Sequence, residues 1–181
     1  MDVLLEREAH MLLNKTGRVT LRAAQSIDLE EMATIEEAGA FEPASAHQLD
    51  LWLSNATPRK RRGRMLWNEL HVAADAGNLV LGHCVLIGED DVATLRIVIH
   101  PGFRRQRLAT RLLTRTIDHA CTWTALRDVE WIISERQAET LLFARRFGFV
   151  AREAEPVIRD WFGLHHDGFA LHLPIVPPVG L

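Results

Sequence analysis

Along this chain the spacing of hydrophobic and polar positions changes several times, and each change marks an element. Leu5, Ala9, Leu12 and Leu13 fall near one helical face and predict a short amphipathic arm helix over residues 2–14. Val19 to Ala23 (VTLRA) alternates and predicts a strand. Ser26, placed as an N-cap ahead of Asp28 and Glu30, predicts a helix running to about Gly39. Pro43 and Ser45 open a second helix through His47, Leu51, Trp52 and Leu53, ending near Asn55. Two strands follow, 66–74 and 79–87, joined by the turn Asp75-Ala76-Gly77-Asn78. After the turn Gly88-Glu89-Asp90-Asp91 comes VATLRIVIH (92–100), β-branched and nearly continuous, as expected of a strand covered on both faces. From about Gln106 the period becomes helical, with Leu108, Leu112, Leu113, Ile117 and Ala120 on one stripe. Val129 to Ser134 reads as a strand, Ala138 to Phe147 as a helix stopped by Gly148, Phe149 onward as another strand and Phe169 to Ile175 as the last. The order β-α-α-β-β-β-α-β-α-β-β predicts an α/β fold with a mixed sheet flanked by helices. The expected organisation is an arm at 1–18, one domain over 19–176 and a tail at 177–181.

Composition narrows this picture. The 181 residues are 48% hydrophobic and 25% charged with a formal net charge of −3, enough apolar surface to offset chain ordering, which excludes a disordered protein. No run approaches the roughly eighteen apolar residues of a membrane helix. Glu6, Arg7 and Glu8 interrupt the apolar start, so no secretory signal is expected. Cys84 and Cys121 are too few for a disulfide framework and have no metal-ligand spacing around them, so both are expected as packed, reduced thiols in a cytoplasmic protein. His165, His166 and Asp167 read as a polar hairpin loop and His100 as a strand-end residue, so no metal is expected. Trp52, Trp67, Trp123, Trp131 and Trp161 read as core or interface anchors.

Charge is unevenly distributed. Between Ala23 and Pro58 stand seven acids (Asp28, Glu30, Glu31, Glu36, Glu37, Glu42 and Asp50) and no Lys or Arg. The tract is either the solvated face of two helices or a lure for a cationic partner. Directly after it come Arg59, Lys60, Arg61, Arg62 and Arg64, which read as a solvated loop. A nucleic-acid role would rest on that run alone, and the near-neutral total argues against it.

Ile97 to Leu113 (IVIHPGFRRQRLATRLL) is the informative stretch. A buried strand runs into a Pro-Gly turn, an arginine-rich loop and a helix start. The first N–H groups of a helix lack intrahelical partners and carry partial positive charge, so an anion, a diphosphate above all, is stabilised there. Arg104, Arg107, Arg111 and Arg115 recur at helical steps and are expected to share one face.

These residues resemble the acetyl-CoA loop of the GNAT superfamily of N-acetyltransferases, whose pattern is strand, x-Pro, then Arg/Gln-x-x-Gly-x-Gly/Ala opening a helix. Arg104, Arg105, Gln106, Arg107, Leu108 and Ala109 occupy the six positions. Downstream, residues 133–151 resemble the family's later helix, with Gly148-Phe149 as its closing Gly-Phe, Gln137 where Asn is usual and Ala144 where Tyr is usual. Residues 38–53 (AGAFEPASAHQLDLWL) resemble the substrate-side helices of the branch that acetylates ribosomal-protein N-termini.

The resemblance implies an acetyl-CoA-dependent N-acetyltransferase acting on a primary amine, with a protein or peptide N-terminus as the favoured acceptor. It implies that backbone groups of Ile97, Val98 and Ile99 hold the thioester and pantetheine, that loop amides from Arg104 to Thr110 take the pyrophosphate, and that Gln137 lies over the coenzyme A arm. Two departures stand out: Arg107 replaces a loop glycine, and the usual acid–base pair falls on Ala144 and Ile132 in a chain with no Tyr at all. Ser134 and Glu130 are the polar residues left for proton transfer. Orientation of reactants is worth about 10⁵–10⁸ M in effective molarity against about 10²–10⁴-fold for acid–base help, so the loss slows catalysis without abolishing it. The alternative is a catalytically degenerate acyl-CoA sensor or partner-binding module. Oligomeric state is left open, a homodimer included.

Overall fold

The computed structural model describes residues 19–151, 157–161 and 164–176. The arm at 1–18 and the tail at 177–181 lie outside them. The strands are β1 (Thr20–Ala23), β2 (Arg59–Arg61), β3 (Arg64–Ala74), β4 (Val80–Glu89), β5 (Val92–Ile99), β6 (Asp128–Ile133), β7 (Val150–Ala151), β8 (Val157–Trp161) and β9 (Leu164–Pro174). The helices are α1 (Leu29–Gly39), α2 (Ala46–Ser54), α3 (Leu108–Trp123) and α4 (Ala138–Phe147). The strands form one mixed sheet in the order β1-β3-β4-β5-β6-β9-β7, with β2 beside β3 and β8 beside β9. All pairings are antiparallel except β5 with β6.

Side-chain alternation divides the core in two. One face of the sheet carries Trp67, Cys84, Leu86, Leu95, Val129, Trp131 and Ile133, packed against the buried stripe Leu108, Leu112, Leu113, Ile117 and Ala120 of α3. The other carries Leu70, Val72, Val85 and Val98 beneath Met32 and Ile35 of α1 and Leu49 and Trp52 of α2. Each helix thus buries the stripe its 3.6-residue period exposes. α2 begins at Ser45 as expected, whose hydroxyl accepts the Gln48 N–H while Gln48 accepts the Ser45 N–H. α4 spans the expected residues and ends at Gly148, whose φ of 118° only glycine adopts without strain.

Four local expectations are corrected. Ser26 lies inside a short 3₁₀ turn rather than capping α1, because Arg22 holds the Asp28 carboxylate with two 2.7 Å bonds and Asp28 in turn accepts the Gln25 N–H. The basic run is a hairpin: β2 pairs with β3 around Arg62 (φ 51°) and Gly63 (φ 84°), the two left-handed residues that a tight hairpin turn needs. His165, His166 and Asp167 belong to β9, paired with β8, a longer hairpin than the expected loop. Arg104 leaves the arginine face, as described below.

Candidate functional site

β5 pairs with β4 along its whole length, from Val92↔Glu89 to Ile99↔Gly82, but with β6 only from Val92↔Asp128 to Thr94↔Glu130. Beyond that point the two parallel strands part. A cleft of about 570 Å³ opens between them, lined by Thr94 to Ile99 of β5, Trp131, Ile132 and Ser134, and Gln137 to Thr140 with Phe143 from α4. The His100 N–H donates to the Leu81 carbonyl at 2.9 Å. Backbone direction alternates along a strand, so Val98 and Arg96 also face β4, while Ile97 and Ile99 face the gap. Val98 is therefore a correction: its amide is engaged by β4 and its side chain by the α1–α2 core. The Ile97 backbone has no strand opposite it.

Below the cleft lies the arginine-rich loop. Arg105 (φ 62°) and Arg107 (φ 61°, ψ 13°) are both left-handed, and Arg107 is the residue before α3. Arg107 thus holds a left-handed conformation that glycine adopts freely, at a strain on the order of 1 kcal/mol. No side chain caps α3. The first intrahelical bond runs from the Arg111 N–H to the Arg107 carbonyl. Hence the amides of Arg105, Gln106, Arg107, Leu108, Ala109 and Thr110 have no acceptor among the described residues. Leu108 is buried and anchors the turn, Ala109 lines the cleft, and the side chains of Gln106, Arg107 and Thr110 are exposed.

Arg104 has a different task. Its own N–H bonds the Pro101 carbonyl, and its guanidinium donates to the carbonyls of Gly39 (2.7 Å) and Ile99 (3.4 Å). It ties the C-terminal end of α1 to β5, where a cation is favoured, rather than joining Arg107, Arg111 and Arg115. Arg105 reaches Glu139 at 3.1 Å, linking the loop to the first turn of α4 through an exposed pair worth little energetically.

The opposite wall is built from side chains. Arg96, on the α1–α2 face of β5, clasps the fully buried Glu36 of α1 with Nε and Nη2, at 2.7 Å from Nε to Oε1, and lies 5.9 Å from the Trp52 ring. Glu36 also accepts the Ala44 N–H at 3.0 Å and contacts His83 Nε2 at 2.9 Å. Burial pushes His83 down to about 4, against the pull of Glu36 and assisted by Arg96. The ring is thus neutral near pH 7, and its Nε2 carries the proton, since a carboxylate can only accept. Three acids of the N-terminal tract are consumed structurally: Glu36 here, Asp28 by Arg22, and Glu31 by the Val80 N–H at 2.6 Å.

Of the proposed proton carriers, Ser134 lines the cleft at the end of β6, where its hydroxyl accepts the Arg136 N–H at 3.4 Å and its carbonyl accepts the Gln137 N–H. Gln137 returns its side-chain oxygen to the Ser134 N–H at 3.2 Å, so these two close the β6–α4 turn together. Glu130 is not in the cleft. It lines an adjoining cavity of about 730 Å³ that shares Trp52 and Ile87 with it. There Glu130 stands 3.7 Å from His172 Nε2, while His172 Nδ1 meets Asp128 at 2.8 Å. Ala144 is fully buried in the core and carries no titratable group; Ile132 lines the cleft as a hydrocarbon. Thr94, the last β5 residue paired with β6, has a buried hydroxyl without a partner among the described residues.

Glu36, His83, Arg96 and Thr94 escaped the sequence reading. One signal was present: Arg96 is the sole charge inside VATLRIVIH, and a charge in a buried strand requires a buried partner.

A parting pair of parallel strands above an uncapped helix start is the site of the GNAT acetyltransferases, and residues 63–151 match the Acetyltransferase (GNAT) domain family. That stretch of the chain is a GNAT acetyltransferase domain. Solved structures agree in fold. The ribosomal-protein-S18-alanine N-acetyltransferase of Escherichia coli superposes with a TM-score of 0.65 at 20% identity, over 87% of this chain and 94% of that one. A phosphinothricin acetyltransferase from Sinorhizobium meliloti, solved with AcCoA, gives 0.65 at 19% identity over 90% and 95%. The spermidine/spermine N-acetyltransferase of Vibrio cholerae gives 0.61 at 20% over 88% and 94%. No curated protein matches the chain in sequence. Among the described residues no helix is long and apolar enough to cross a membrane.

Proposed function

We propose that the protein transfers the acetyl group of acetyl-CoA to a primary amine, with a protein or peptide N-terminus as acceptor. The observation that carries this reading is the end of β5–β6 pairing at Thr94–Glu130, which leaves the Ile97 backbone facing a cleft that descends to six unpartnered amides. In this reading the Arg105–Thr110 amides hold the pyrophosphate, Ile97 and Ile99 the thioester and pantetheine, and Gln137 the far wall. The amine nitrogen attacks the thioester carbon, the N–C bond forms as the C–S bond breaks, the nitrogen loses a proton and the thiolate gains one. Thr94 marks where a water or the amine is held at the fork. Its register partner Glu130 receives the proton through that water and is backed by His172 and Asp128.

Two observations favour a polymeric acceptor. The cavity beyond Trp52 gives room for residues following the amine. Paired Glu36 and Arg96 leave neither a naked anion nor a naked cation from that couple, as suits a neutral backbone better than a polycation.

A second reading, an acyl-CoA-binding module without turnover, is favoured by Ala144, buried where an acid would stand. The test is a melting curve with acetyl-CoA: the expected result is a raised melting temperature for the wild-type protein, with Ala109→Glu, which places a carboxylate in the cradle, losing the rise while still melting cooperatively. No rise in the wild type would overturn both readings. Thiol release with peptide N-termini then separates them, and Glu130→Gln lowers the rate by about 10²–10⁴-fold if Glu130 takes the proton.

A further inference from the structure

On the α3 face of the sheet, at β3 and away from the cleft, β3 and α3 bring together three groups that the transferase reading does not use. Glu69 and His71 share a face of β3, and His119 descends from the fourth turn of α3. Glu69 and His71 are 7% and 1% exposed, and the His119 side chain is 42% exposed. Glu69 Oε1 lies 3.3 Å from His71 Nδ1 and 3.0 Å from His119 Nδ1, and one ligand atom from each residue falls within 4.8 Å of the others.

The two separations from Glu69 Oε1, 3.3 and 3.0 Å, are those of a coordination shell. Ligand atoms about 2.0–2.1 Å from a tetrahedral zinc-class ion stand about 3.3 Å apart. A hydrogen-bonded cluster is the competing explanation, and the structure argues against it. Both Nδ1 atoms approach the carboxylate oxygen, yet neither is aligned to bond it, and neither has a hydrogen-bond partner among the described residues. A buried, unpartnered imidazole nitrogen is costly to leave so. The second carboxylate oxygen is already held: Trp123 Nε1 donates to Glu69 Oε2 at 3.1 Å, the outer-sphere contact that orients a ligating carboxylate.

We propose that Glu69, His71 and His119 bind a divalent transition-metal ion of the zinc class, with a fourth position open to water on the His119 side. The ion would clamp the C-terminal half of α3 to β3. His71 presents a buried, unpartnered Nδ1 toward the same carboxylate oxygen, and burial favours the neutral ring that ligates. Arg115, one turn before His119, opposes the ion, so the site binds a soft-to-borderline cation held by imidazole rather than Mg²⁺ or Ca²⁺ held by charge alone.

The test uses the full chain without an affinity tag, stripped with a chelator and titrated with Zn²⁺ and separately Co²⁺ against a chromophoric competitor. The expected result is a one-to-one complex that raises the melting temperature, with Co²⁺ giving the intense visible bands of a tetrahedral site. His119→Ala, a half-exposed helix position that leaves the core intact, removes the complex and its bands. Trp123→Phe weakens binding about tenfold. Mg²⁺ produces no shift. Equal stoichiometry and affinity in wild type and His119→Ala would overturn the proposal, as would no binding by a cooperatively folded wild type. Acetyl-CoA binding is measured on the same samples; its retention in His119→Ala keeps this outcome separate from that of the transferase reading.

Discussion

The loop at 104–110 follows the C-terminal end of β5 and the wall of Glu36, His83 and Arg96 stands on one face of that strand, yet they are made of different material. The loop offers peptide N–H groups fixed by backbone geometry, and most of its side chains point to solvent. The wall offers buried side chains whose charges are matched to one another. A surface of main-chain donors tolerates replacement of its residues, even Gly by Arg, as long as the left-handed conformation is kept. A buried ion network tolerates almost none, because removing one member leaves another desolvated and alone.

The sharpest way to break this contrast is Arg96→Met. Glu36 is then left buried with a neutral histidine, and the expected loss is about 3–5 kcal/mol in denaturant unfolding. A loss under 1 kcal/mol would mean that the network is wet and the wall is not what separates the two regions.

Acidity probes the wall and the β3–α3 cluster without substitution. Unfolded histidines titrate near 6.5 and folded His83 and His71 near 4. The unfolded chain therefore binds more protons between these values. Stability is fully present above about pH 6.5 and falls toward pH 4, by as much as about 1.4 kcal/mol per pH unit for each histidine. Melting curves of the metal-free protein from pH 8 to pH 4 check this, and a flat profile would show that both rings are solvated.

The smallest effect belongs to the loop. Arg107→Gly keeps the left-handed turn, changes stability by less than about 1 kcal/mol because relieved strain offsets added chain entropy, and leaves acetyl-CoA affinity nearly unchanged. A tenfold weaker affinity would instead assign the grip to the guanidinium.

How legible each region was follows from the same contrast. Periodicity placed α2, α3 and α4 to within a residue or two, because each has a single buried stripe and a punctuating Ser45, Pro101 or Gly148. The loop was legible because its chemistry depends on local order: strand, Pro, helix start. Arg104 was misread because its partners, Gly39 and Ile99, are set by tertiary packing. Glu36 and Arg96 are sixty residues apart and Glu36 and His83 forty-seven, so no local pattern joins them. Glu69 and His119 met only because α3 crosses β3. The β8–β9 hairpin was read as a loop because its apolar alternation is broken by His165, His166 and Asp167.

One consequence of the alternation along β5 reaches into how this protein can vary. Odd positions turn main chain toward the fork and even positions send side chains into the opposite wall, so one reading frame of five residues supplies both the open main chain and the buried wall. Deleting or inserting a single amino acid between Leu95 and Ile99 would swap the two duties at a stroke. Length within this segment is thus a harder constraint than identity: Val may replace Ile there, but nothing may be added or lost.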